Sequence, residues 1–261
     1  MSGSAAPVDV AEYCLRLGDD ALVLAQRLGE WVSRAPEMEE DVALANIALD
    51  LLGQARALLT RAGELEAADR GSAVARTEDD LAYLRSEREF RCAHLVELPR
   101  GDFAVTIARQ LVFSGYQAAL YRGLIASADP VIAGVAAKAV KEVAYHLDHA
   151  VQWTLRLGDG TAESHRRMQA GLDAVWPYVA ELFDDDPATT RLAAAGAGVL
   201  PSSLRAGCEA TWREVLTRAG LAMPAPAWRS RGGRDGIHTE HLGYLLAELQ
   251  SVARAHPGAT W

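Results

Sequence analysis

Apolar side chains recur at intervals of three and four along almost the whole chain, and no stretch alternates strictly enough to read as a strand. Residues 8–33 place Leu15, Leu22, Leu24 and Leu28 among charges and predict a first amphipathic helix. Pro36 suits the entry to a second helix running to about Ala62, and residues 63–76 read as a polar connection. Thr77 followed by Asp80 is a capping pattern for a helix over about 78–97, which Pro99 and Gly101 then end. Further helices are predicted over 102–127, from Pro130 to Leu157, over 162–183 with an interruption at Pro177, from Pro201 to about Arg218, and over about 239–254. Residues 158–160 form a turn, 188–198 fit no pattern and 224–236 form a loop. Four helices of about 25 residues, each about 38 Å long, predict an all-α four-helix bundle with additional packed helices. One domain over residues 1–261 is the simplest organisation, with roughly the first eight residues as a tail, because the segment after the 224–236 loop is too short to form a core alone.

Composition narrows the function. Half of the 261 residues are hydrophobic and 23% are charged, with a net charge of -9. That balance, with no dense basic run, argues against a nucleic-acid partner. The apolar runs are broken by charges within a turn or two and MSGSAAPVDV lacks the build of a signal peptide, so the expectation is a cytoplasmic protein without a membrane partner. Cys14, Cys92 and Cys208 are odd in number and far apart, and read as buried reduced thiols.

The chemistry to be weighed lies in DVALANIALDLLGQARALL, residues 41–59, where Asn46, Asp50 and Gln54 recur at intervals of four and Glu39 extends the stripe. A buried carboxylate needs a metal, a base or another hydrogen-bonding group. Carboxylate bundles that hold two irons take a Glu from each of two helices and a Glu-x-x-His from each of the other two. Here Asp50 is followed at three by Gly53, so the imidazole is missing, while Glu142 is followed at three by Tyr145 and at four by His146. From Phe103 to Ala128 there is no Asp or Glu, and the inward candidates are Gln110, Ser114 and Gln117. The reading is therefore a degenerate internal polar site of Asn46, Asp50, Gln54, Lys138, Lys141, Glu142 and His146, without catalytic or metal-ligating residues. Asp50 is expected inside the bundle, neutralised by Lys138 or Lys141. His146 and His149 are read as hydrogen-bonded histidines, His238 and His241 as residues opening the last helix rather than ligands, and Arg229, Arg231 and Arg234 as a solvated loop. No phosphate loop or nucleophile turn is present.

LRLGDDALVLAQRLGEW (15–31), DVALANIALDLLGQAR (41–56), FAVTIARQ (103–110), AKAVKEVAYHL (137–147) and GIHTEHLGYLLAELQ (236–250), with the final PGATW, resemble the PaaA/PaaC family of bacterial 1,2-phenylacetyl-CoA epoxidase subunits, and within it the non-catalytic type. The resemblance spans nearly the whole chain; residues 158–236 are its least recognisable part. It implies a ferritin-like fold, a structural role in a multicomponent monooxygenase of phenylacetate breakdown, a homologous catalytic partner that carries the di-iron centre, and a reductase. It implies no cofactor in this chain. The competing functions are an active di-iron oxygenase or ferroxidase, and a stand-alone helical binding protein. Trp31, Trp153, Trp212 and Trp228 are candidate interface anchors.

Overall fold

The structure, a computed structural model, describes residues 5–259. Eleven α-helices and four short 3-10 turns make up the described residues, with no strand among them. The long helices are α1 (Pro7–Gly29), α2 (Met38–Arg70), α5 (Phe103–Leu124) and α6 (Pro130–Gly158). Between α2 and α5 lie the short α3 (Glu78–Tyr83) and α4 (His94–Glu97); after α6 come α7 (Ala162–Val175), α8 (Pro187–Ala194), α9 (Pro201–Arg218), α10 (Glu240–Leu249) and α11 (Ser251–Ala255). Helix α1 packs along α2 and α5 along α6, α2 closes the bundle against α6, and α7 and α9 cover α5. Helix α5 is thus the central one, with Ile107, Leu111, Phe113, Leu120 and Tyr121 fully enclosed. Buried apolar side chains from α1 through α10 form one continuous cluster. This is the all-α bundle with packed extra helices expected from the pattern, with the ferritin-like fold that the resemblance implies.

Local chemistry explains the helix starts. Asp102 accepts from the Val105 amide, Asp129 from Val131 and Ile132 with Pro130 in the first turn, and Thr161 closes a capping box with Ser164. The capping box of Thr77 and Asp80 is present as predicted. Pro7 and Val8, expected in a tail, already belong to α1, because proline fits a first helical position; residues 1–4 of that tail, and the last two residues of PGATW, lie outside the described residues.

Three boundaries differ from expectation, each for a tertiary reason. Helix α2 continues through Gly63 to Arg70 and ends at Gly71 in the left-handed region, φ 62°. Gly63 is the approach point of the returning chain: a Cβ there would sit 2.0 Å from the Arg76 carbonyl oxygen. The single helix predicted over 78–97 is broken. Asp19 accepts the Arg91 amide at 2.7 Å and Asp20 the Ala93 amide at 2.8 Å, so two carboxylates of α1 take amides that a continuous helix would have used itself. Residues 187–194, almost all within the stretch without a pattern, form α8 behind the Asp186 cap.

Candidate functional site

The polar stripe of α2 turns inward along its length. Asn46 is exposed, Asp50 is half-buried and Gln54 is buried; Glu39 is exposed. Tyr121 of α5 donates its hydroxyl to Gln54 Oε1 at 3.0 Å, Gln54 donates Nε2 to Glu142 Oε2 at 3.1 Å, and Glu142 Oε1 lies 3.1 Å from Lys138 Nζ. A single polar line thereby runs from solvent to the bundle centre across α6, α2 and α5. One turn away, His146 Nε2 meets Asp50 Oδ2 at 3.0 Å, and further along His149 Nε2 meets Glu40 Oε2 at 2.7 Å. Both histidines have carboxylate partners, in keeping with the sequence reading.

The partner expected for Asp50 was wrong. Its side chain is 36% exposed, Lys138 goes to Glu142 instead, and Lys141 is exposed without a carboxylate partner among the described residues. Burial pulls the His146 imidazole below its ordinary 6.5 and outweighs the hydrogen bond and charge of Asp50. His146 is therefore a neutral donor, and Asp50 keeps contact with water. A carboxylate that stays hydrated needs no cation, which is why no lysine is drawn in.

These groups do not compose a ligand set for two metal ions. Gly53 stands exposed where an imidazole would be needed, and the inward stripe of α5 offers the buried Gln110, Ser114 and Gln117 but no acid. Asp19 and Asp20 of α1 are paired with arginines instead. Asp19 is fully buried against the Arg85 guanidinium, and Asp20 accepts Arg234 Nη1 at 2.9 Å and Nη2 at 2.7 Å. Arg234, expected in a solvated loop, is thus a partly buried partner, its side chain 18% exposed; burial pulls its guanidinium down, but Asp20 beside it outweighs that and keeps it charged. Arg229, by contrast, is exposed 3.7 Å from Asp184, and Arg231 is exposed.

A second cluster, which sequence reasoning missed, joins the loop before α5 to the start of α10. Cys92 Sγ, Glu97 Oε1 and His238 Nδ1 lie within 4.8 Å of one another, and among the described residues they form the one group of three such donors. His238 Nε2 faces the Phe90 carbonyl oxygen at 3.0 Å, so that nitrogen carries hydrogen. Nδ1 is 2.6 Å from Glu97 Oε1, while Glu97 Oε2 accepts the Thr239 amide at 2.8 Å and its hydroxyl at 2.7 Å. Two donors on one tetrahedral zinc stand about 3.3 Å apart, given bonds of roughly 2.0–2.1 Å, so the 2.6 Å contact is built around a shared proton. Burial pushes the Glu97 carboxyl up, but His238 and Thr239 outweigh it and hold it below 4.5; burial and Glu97 hold the Cys92 thiol well above 9.0. The cluster is a hydrogen-bonded clasp with a protonated thiol. All three cysteines are buried and free, as read from sequence. The signals that could have found these groups are the Asp19, Asp20 doublet inside the apolar LGDDALVLA and the lone Glu97 after LV.

The fold and this interior define a class: a helical bundle of the carboxylate type whose central polar seam is closed by internal hydrogen bonds. The Phenylacetic acid catabolic protein family, PaaA_PaaC, matches residues 2–261, and the chain belongs to that family. It is 48% identical over 249 residues to the C subunit of the 1,2-phenylacetyl-CoA epoxidase of Escherichia coli (strain K12), an alignment covering 95% of this chain and 98% of that protein.

Proposed function

We propose that the chain is a non-catalytic structural subunit of a multicomponent 1,2-phenylacetyl-CoA epoxidase, a monooxygenase of aerobic phenylacetate breakdown. In this reading it works in the cytoplasm, holds no di-iron centre, and supports a homologous catalytic subunit that does, with a reductase supplying electrons to that partner. The observation that carries it is the closed seam Lys138–Glu142–Gln54–Tyr121 with Gly53 beside it: the acids that could have bound metal satisfy other side chains. Family membership and the likeness to an epoxidase subunit support the assembly.

The test is to purify the chain alone and with its homologous helical partner, measuring mass, iron and phenylacetyl-CoA oxidation with reductase present. The isolated chain is expected to contain no stoichiometric iron and to copurify with the partner, whose activity falls without it. Two irons per isolated chain with oxygen-dependent turnover would favour an active oxygenase or ferroxidase. Failure to copurify would favour a stand-alone binding protein, and a partner fully active alone would remove the supporting role.

A further inference from the structure

Among the described residues, one fully enclosed arginine has no counter-charge. Arg109 of α5 donates through a single nitrogen: Nη1 meets the Leu98 carbonyl oxygen at 2.6 Å and the Pro99 carbonyl oxygen at 3.5 Å. Its Nε and Nη2 are buried, and no protein group accepts from either. These two nitrogens form the flat edge by which a guanidinium holds both oxygens of a carboxylate side by side. Other enclosed arginines have an acid in that role: Arg85 has Asp19, and Arg27 has Glu30 at 2.6 Å. The acids of the surrounding segments are spent. Glu30 serves Arg27, while the two oxygens of Glu97 serve His238 and Thr239.

Burial pulls the Arg109 guanidinium down to about 10 and Arg27 pushes the same way, with Glu30 acting against both, so the group is charged at neutral pH. Arg27 and Arg109 thus bring two guanidiniums to the one carboxylate of Glu30, a surplus of a single positive charge inside the protein. A buried charge without a partner is among the costliest arrangements an interior can hold. A water molecule could accept from Nε and Nη2 but would leave the charge in place, whereas an anion accepts and neutralises. Enclosure sets the size of that anion, because Arg109 presents no surface to a macromolecule, and the surplus sets its charge. A route from solvent exists. Arg27 and Glu30, whose charges act on Arg109, also line a cleft of about 550 Å³ between the end of α1 and α10, together with Arg34 and Tyr244. An ion in that cleft reaches the guanidinium when the Arg27–Glu30 pair opens.

We infer that the Nε and Nη2 edge of Arg109 binds a small monovalent anion, of the chloride or formate kind, inside the corner where the end of α1 meets the start of α5. The inference holds whether or not the chain works as a subunit. The experiment follows thermal unfolding of the full chain in sodium chloride, sodium formate and sodium gluconate at equal ionic strength, gluconate being too large for an enclosed site. Wild type is compared with Arg109→Met and with Arg229→Gln, a control on an exposed arginine. At a tenfold excess over its Kd, a bound anion raises the folded-to-unfolded ratio about elevenfold, a melting shift of about 3–6 °C. Wild type and Arg229→Gln are expected to melt higher by that amount in chloride or formate than in gluconate, and Arg109→Met equally in all three. Crystals of wild type soaked in bromide give a second reading that does not depend on the variant folding: an anomalous peak is expected within hydrogen-bond distance of Nε and Nη2. Wild-type melting that is the same in all three salts, or a chloride and formate effect that survives in Arg109→Met, would overturn the inference. So would crystals with water alone at the guanidinium edge, and a bromide peak there without any melting shift would mark an adventitious ion only and overturn it too.

Discussion

Replacing Glu97 distinguishes a proton-centred clasp from a site built for a cation, and the two simplest variants differ sharply. Glu97 is fully buried and accepts from His238, the Thr239 amide, the Thr239 hydroxyl and the Cys92 thiol. In Glu97→Gln the amide group can turn its NH2 toward His238 Nδ1, which then accepts, while Nε2 still donates to the Phe90 carbonyl and the Gln oxygen still serves Thr239. Every group keeps a partner and only the charge assistance is lost, a cost of roughly 1–2 kcal/mol. In Glu97→Ala the imidazole and the Thr239 donors are stranded in the interior, a cost of roughly 3–5 kcal/mol. At about 2–4 °C per kcal/mol for a chain of this size, the alanine variant should melt about 10 °C lower and the glutamine variant only a few degrees lower. Urea and thermal unfolding followed by circular dichroism read both. Because the folded Glu97 titrates below 4.5, its stabilisation is complete above that value and is lost as pH falls through the folded one, and the glutamine variant lacks this acid dependence. Equal destabilisation by the two variants would refute the shared proton; a neutral Glu97→Ala would refute the clasp itself.

Since His146 titrates below 6.5 when folded, stability should fall as pH drops from about 6.5 toward the folded value, and melting of His146→Gln across pH 7 to 5 should show a flatter profile. Arg234→Met leaves Asp20 buried without its cation and should cost about 3–5 kcal/mol in urea unfolding. Gly53→Ala should raise the melting temperature of the isolated chain, by about 1 kcal/mol of helix propensity, whereas Gly63→Ala should lower it because its Cβ would collide with the Arg76 carbonyl; equal effects would contradict the packing described for the two glycines.

The sequence by itself determined the helical class, the four long helices and most of their starts, because these depend on local terms: three-and-four periodicity, Pro at first turns, and Asp129 or Thr77 as caps. It also showed that α5 brings no acid to the interior, since composition needs no coordinates. Tertiary structure decided which polar group meets which. Lys138 and Asp50 share a seam, yet four-residue spacing on α6 gives the lysine to Glu142, and solvent on Asp50 leaves it to a neutral His146. The break in 78–97 was equally illegible, for the residues that unwind it, Asp19 and Asp20, lie some seventy positions earlier. The anchors follow the same division: Trp31 and Trp212 are core, Trp153 is half-buried against Phe103, and only Trp228 is exposed, at 55%. A helix's own residues fix where it starts and which faces are apolar. Which apolar face is covered, and which acid finds which base, depends on contacts between residues far apart in the chain, and these exist only once the bundle has closed.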